Sequence, residues 1–355
     1  MTKDQDCLFS SSLPTRGCSR VATTLAAVLL MSLSVAAGLP AHAQQVYVSD
    51  YENNTVGEYT LNSAGTAVSS SNPSLVTSGL SNPEGLVVSG SNLYVGNDAD
   101  DGADKGFVAQ FTLNSAGTAV SSSNPSFLSG LNGPGGLAIS GSNLYVSNTD
   151  GNTVAVYTLN STGTVATPSN LSLITTGLNG PEGLVVSGSN LYVVNYNSGT
   201  IGVYTLNSAG TAVIASNSTL VTGLNFPLEI ALSGSKLFVA NNYGNTVGQY
   251  TLNSAGTGVS SSNPSFLSGL NGPAGLAISG SKLFVTQQFA SSVSEYTTSG
   301  ATVNASLITT GLNQPAGLAV VPPVPLPGAA LLFPTGLGVL ALAWRTRRTT
   351  GTDAV

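Results

Sequence analysis

The stretch GLNGPEGLVVSGSNLYVVN at residues 177–195, followed by TIGVYTL at 200–206, recurs along this chain with small changes. Its proline returns at Pro83, Pro134, Pro181, Pro227, Pro273 and Pro315, at spacings of 51, 47, 46, 46 and 42 residues. A period of that length, made of short apolar runs and turn residues, is typical of propeller blades with four strands each. Four β-type runs can be read in the quoted unit: Gly183–Ser187, Asn190–Val194, Thr200–Leu206 and Ser218–Leu224. The first two are apolar almost throughout, which predicts inner strands buried on both faces between neighbouring blades. The outer two are more polar. Between the runs lie Ser-, Gly- and Asn-rich links, residues that accept positive φ or cap a turn.

The ends of the array set the count. Val46–Asp50 is a second strand with no first strand before it, and Gly317–Val321 is a first strand with no second after it. Joining the two fragments completes a blade, so five whole units and one split unit make six. The expected fold is therefore all-β, a six-bladed propeller of four-stranded blades over residues 44–321. Closure of this kind leaves no inner strand edge unpaired. The run Leu-Asn-x-Pro-x-Gly-Leu-Ala-Val, then Leu-Tyr-Val-x-Asn, then Val-x-x-Tyr, resembles NHL-type repeats and their six-bladed relatives. That resemblance implies the fold and says little about function, since propellers host many activities.

Charge and rare residues exclude several functions. Only 7% of the 355 residues are charged, and residues 44–321 hold twelve acids and three bases, a net charge of −9. Such a field repels a phosphate backbone, so nucleic acid is not a partner. Cys7, Cys18 and His42 are the only thiols and the only imidazole, and all precede residue 44. A chain that has lost that segment has no thiol nucleophile, no Ser-His-Asp triad, no His/Cys zinc site and no His-ligated haem. Its chemistry is left to carboxylates, amides, hydroxyls and a few lysines.

The two ends read as addresses. Arg16 and Arg20, an apolar run from Val21 to Gly38 and the small-x-small site Ala41-His42-Ala43 form a secretory signal peptide over 1–43. At the other end a proline-rich segment leads into an apolar stretch of 17 residues, 328–344, closed by Arg345, Arg347 and Arg348, with a polar tail at 349–355. That length is at the short edge of what spans ~30 Å of hydrocarbon, and the arginines favour the cytoplasmic side. Val324-Pro325-Leu326-Pro327, the apolar helix and the basic end together resemble the PEP-CTERM family in its VPLPA-type variant, over 322–348. The resemblance implies an exosortase as processing partner and export to the cell surface or extracellular matrix of a Gram-negative bacterium. If the helix is not cut away, it implies a membrane anchor.

In a ring of repeats, equivalent positions face the same place. The residue after each marker proline is Glu84, Gly135, Glu182, Leu228, Ala274 or Ala316, and the residue closing each second strand is Asp50, Asn97, Asn148, Asn195, Asn241 or Gln287. These predict a polar ring at one mouth of the central channel, with Glu84 and Glu182 as its strongest charges. The regucalcin and gluconolactonase group of six-bladed propellers is similar here. That resemblance implies one Ca²⁺ held by oxygen ligands, for which Glu84, Glu182, Asp50, Asn148 and Asn195 are the candidates in this chain. The alternative is that each Asn or Asp caps the turn after its strand, and sixfold repetition favours capping. A second candidate cation loop is the insertion NDADDGADKG at 97–106, whose register differs from an EF-hand loop.

No catalytic residue is assigned from sequence. Near-identical segments such as NSAGTAVSSSNPS in different units suggest duplication of a scaffold rather than a tuned pocket. The reading favoured is an exported, non-catalytic binding or structural module associated with extracellular polysaccharide or a surface protein. The alternative is a Ca-dependent lactonase working at the channel mouth.

Overall fold

The computed structural model describes residues 44–99 and 106–321. These form six four-stranded antiparallel sheets, and the first is assembled from both ends of the array. Pro315–Val321 pairs with Gln45–Asp50, Val48 opposite Leu318 and Tyr47 opposite Ala319. Blade one is this split sheet; blades two to six begin at Pro83, Pro134, Pro181, Pro227 and Pro273. The leader at 1–43, the sorting-type segment and helix at 322–348, and the insertion residues Asp100, Asp101 and Asp104 lie outside the described residues.

Blade four shows how the sequence pattern becomes structure. Its strands are Pro181–Ser187, Asn190–Asn195, Thr200–Leu206 and Val213–Val221. Every residue of Asn190–Asn195 is buried, as continuous apolarity requires. The fourth strand starts earlier than the expected run at Ser218. Asn207 N–H donates to the Ala212 carbonyl at 2.9 Å and closes a tight turn, so pairing resumes at once, Leu206 opposite Val213. Most of that strand is exposed, which is why its Ser/Asn-rich composition hid it.

The core is divided rather than central. Six apolar clusters lie one at each junction between neighbouring blades. Val46, Val48 and Leu318 of blade one meet Phe284, Val293 and Ile308 of blade six in the cluster that closes the ring. Polar latches reinforce the same junctions. In the Leu-Tyr-Val strand, the Tyr47, Tyr94, Tyr145 and Tyr192 hydroxyls donate to the Gly117, Gly163, Gly210 and Gly256 carbonyls of the next blade, at 2.6–2.9 Å. Asn92, Asn143 and Asn190 donate to the carbonyl one residue before each acceptor of their own blade's tyrosine. At the closing junction Lys282 Nζ takes over, donating to the Ala64 and Gly65 carbonyls at 2.8 and 2.7 Å and pairing with buried Glu295 at 2.6 Å. The NSAG-type turns are near-identical because their carbonyls must meet a neighbour's donor.

Towards the axis each innermost strand carries a register shift just after its proline. In blade four Pro181 faces Asn195 and Leu184 faces Val193, leaving one extra residue on the inner strand. Such a bulge re-aims side chains. The inner strands also approach closely: a Cβ on Gly136 would lie 2.4 Å from the Glu182 carbonyl, and one on Gly317 2.1 Å from the Glu84 carbonyl. Five of the six blades keep glycine at this position for that reason.

Candidate functional site

The bulges surround a narrow axial cavity of about 60 Å³ that is open at its mouth, and three glutamates line it: Glu84, Glu182 and Glu229. Glu84 and Glu182 stand where the sequence placed them, in blades two and four. Between them, blade three offers Gly135, and a Cβ there would lie 2.2 Å from Glu182 Oε2. The missing side chain is thus the space into which the Glu182 carboxyl leans, towards Glu84. Glu229 leans the same way: its Oε1 lies 2.3 Å from where a Cβ of Gly183 would be.

Glu229 was missed from sequence, although its signal was present. Blade five reads PLEIAL where the other blades read Pro-x-Gly-Leu, so an acid replaces the glycine that packing demands elsewhere. The blade accommodates it with a hydrogen bond from the Ile230 N–H to Glu229 Oε1 at 2.9 Å.

All three glutamates are half-buried at the cavity, and that burial changes the chemistry of their carboxyls. Burial pushes Glu229 up to about 8, against the opposing pull of the Ile230 N–H bond. Burial also raises Glu84, and the negative charges of Asp98 and Asp150 raise it further. Glu182 is raised well above the ordinary carboxylate range by burial first and by Glu84 second, partly offset by a hydrogen bond with the Thr149 side chain. Glu84 and Glu182 therefore titrate as a pair that resists losing its last proton.

The other expected residues do different work. Asp50 accepts from the Asn53 N–H, the Asn53 side-chain amide and the Asn313 N–H. Asn195 Oδ1 accepts from the Asn179 N–H at 3.1 Å while its amide nitrogen donates to Thr200 Oγ1. Asn148 donates to Thr153 Oγ1, and its own Oδ1 is buried without a partner. The structure thus brings Glu84 and Glu182 together and holds Asp50 and Asn195 in turn caps. Among the described residues no group of three or more His, Cys, Asp or Glu converges as a metal site. A Ca²⁺ centre built on the five candidates does not fit this donor set, because the Asp50 and Asn195 oxygens are already engaged by backbone N–H groups.

Around the mouth the repeat loses its regularity. Asp98 and Asp150 flank Gly133 in blades two and three, their carboxylates 3.1 and 3.2 Å from where its Cβ would lie. Across blades four to six the loops at the mouth carry Tyr196, Phe226, Tyr243 and Phe289, rings in contact one after another. One side of the mouth is acidic and the other aromatic.

A family described as Lactonase, 7-bladed beta-propeller matches residues 117–223. No curated protein matches the chain. Among solved structures, a propeller in a nidogen/laminin complex aligns at TM-score 0.59 and 15% identity, covering 78% of this chain and 98% of that one. A putative 6-phosphogluconolactonase from Bacteroides fragilis aligns at 0.57 and 14%, covering 80% and 99%. A periplasmic gluconolactonase from Pseudomonas aeruginosa aligns at 0.55 and 17%, covering 79% and 99%. At these identities the structures share the fold. The family match overturns the expectation of a non-catalytic binding module and favours the lactonase alternative. The physical reason lies in the mouth: duplication explains the latch turns, but it does not explain three acids that break the repeat at the axis.

Proposed function

We propose that the axial site hydrolyses the cyclic ester of a sugar lactone. The observation carrying this reading is the enclosure of Glu84, Glu182 and Glu229 in one cavity, with their carboxyls held towards neutral pH. General acid–base chemistry works best when a group titrates near the working pH. In the working state the Glu84/Glu182 pair holds a single proton. The ionised member accepts a proton from water as the water oxygen adds to the carbonyl carbon. The protonated member then gives its proton to the ring oxygen as the C–O bond opens, leaving a hydroxy acid. Glu229, protonated up to about 8, donates a hydrogen bond to the carbonyl oxygen as it gains charge.

The absence of His and Cys from residues 44–321 supports a carboxyl-run mechanism, and the partial match to a lactonase family supports the ester. The reading as a signal peptide at 1–43 and as an exosortase-type motif at Val324–Pro327 supports a site that works outside the cytoplasm, at the cell surface or in the matrix. Hydrolysis of five- and six-membered sugar lactones, followed by acid release across pH 5–9, tests the proposal. Wild type should turn over at least one lactone with a bell-shaped profile, unaffected by a chelator, and Glu182→Gln should lose about 10²–10⁴-fold in kcat/KM. Folded protein with no turnover at any pH would end this reading.

A further inference from the structure

The exposed aromatic rings of the described residues are Phe226, Tyr243 and Phe289, at 41%, 57% and 50% exposure, and all three sit on one side of the channel mouth. The other exposed large apolar side chains are aliphatic. Tyr196, half-buried, contacts Phe226 with ring centroids 4.9 Å apart; Phe226 contacts Tyr243 at 5.1 Å and Tyr243 contacts Phe289 at 6.1 Å. The ridge crosses three blades and abuts the cavity. Leu228, two residues after Phe226, and Gln288, next to Phe289, both line it.

Building this ridge works against the fold. Phe226 has φ 48°, at a position filled in the other blades by Asn82, Gly133, Gly180, Gly272 and Gln314, all with positive φ. A bulky aromatic in the left-handed region is a steric outlier and a local strain on the backbone. Burial does not offset that strain, since the ring is exposed. Phe289 in turn needs the space left by Gly272, where a Cβ would lie 2.4 Å from its ring. Apolar rings held in water at structural expense mark a binding surface.

The surroundings select the ligand. The mouth loops of blades four to six carry amides, Asn197, Asn225, Asn242 and Gln288 among them, and no Asp, Glu, Lys or Arg at 196–199, 225–226, 242–245 or 288–291. Rigid aromatic faces beside neutral hydrogen-bonding groups suit a ligand with apolar C–H faces and a hydroxyl rim, which is the surface of a sugar ring. We propose that this ridge binds the rings of a neutral oligosaccharide, whose terminal ring reaches the axial glutamates. The first half of that statement stands on the ridge; the second rests on the lactonase reading and makes its substrate a lactone carried at the end of an oligosaccharide.

Binding of neutral oligosaccharides of one to six rings, from differently linked glucans, xylans and mannans, is measured by calorimetry on the full-length protein. The variants are Tyr243→Ala, Phe289→Ala, Tyr243→Phe and Ile214→Ala as a distant exposed control. The expected result is affinity that rises with chain length, weakens at least tenfold in Tyr243→Ala and Phe289→Ala, and survives in the other two. Three outcomes overturn the proposal: no neutral oligosaccharide binds, binding is indifferent to both ring deletions, or the ring deletions only abolish self-association of the protein. Ridge-dependent binding without turnover would uphold the ridge and remove the lactonase. Turnover of a monomeric lactone with no ridge effect would do the reverse.

Discussion

Replacing Glu229 by Gln tests the electrostatics of the site without touching its shape, because the amide oxygen can still accept the Ile230 N–H bond. The glutamate titrates at about 8 in the fold and is raised there mainly by burial. In the unfolded chain it titrates near 4.3. Below that value both states hold the proton and the residue does not bias folding. As pH rises, the unfolded chain releases its proton first, so stability falls steadily until the folded state ionises at about 8, and the deficit then stays constant. Each pH unit in that window is worth about 1.4 kcal/mol, or about 5 kcal/mol over the whole window at a dry site. Water in the channel screens the charge, and about 2 kcal/mol is the figure to look for. Thermal unfolding of wild type and Glu229→Gln, followed by circular dichroism from pH 4 to 9, reads the difference. The two should melt together near pH 4, and the variant should melt about 4 °C higher by pH 8–9. Parallel curves, with a difference that does not grow with pH, would refute the claim that this carboxyl is held protonated by its enclosure.

Gly135→Ala places a methyl where Glu182 Oε2 now lies, so it should change melting little but shift the pH profile of lactone hydrolysis and lower kcat/KM roughly tenfold; an unchanged profile would show that the lean of Glu182 is immaterial. Lys282→Met removes the partner of fully buried Glu295 and should cost about 3 kcal/mol in urea unfolding, with much of that recovered in Lys282→Met/Glu295→Gln. Tyr192→Phe leaves the Gly256 carbonyl without its donor and should cost about 1 kcal/mol, equal within error to Tyr145→Phe at the preceding junction, because the repeated latch is the same bond in both places.

Much of the architecture was legible because a propeller writes itself in repeats. The marker prolines count the blades, and the unpaired half-blades at Val46 and Gly317 require closure, which the pairing of Val48 with Leu318 delivers. The fourth strands were read poorly, since exposed Ser/Asn runs such as Ser216–Thr219 lack the apolar alternation that marks a half-buried strand. In the site, Glu84 and Glu182 were found by comparing equivalent positions. Asp50, Asn148 and Asn195 came from the same comparison, but Asp50 and Asn195 are taken up as turn caps, while Asn148 keeps a buried Oδ1 without a partner.

Glu229 shows which departures from a repeat carry information. Five blades keep glycine at its position because a neighbour's backbone passes too close for a side chain, so an acid there has no packing rationale. Phe226 is the parallel case: the other five blades relieve a positive φ with Gly, Asn or Gln, and blade five keeps a phenyl ring in water instead. Both departures fall in one blade, two residues apart from Pro227 at most, and both open onto the same mouth. The latch turns on the Leu-Tyr-Val side of the ring show almost no such variation. Sequence identity between blades therefore measures the demands of closure, and its local loss locates the chemistry. A chain of this kind should tolerate consensus substitutions across its latch turns and lose activity, while gaining stability, when Leu228-Glu229 is reverted to the Pro-x-Gly consensus. An active revertant would break the link between asymmetry and function.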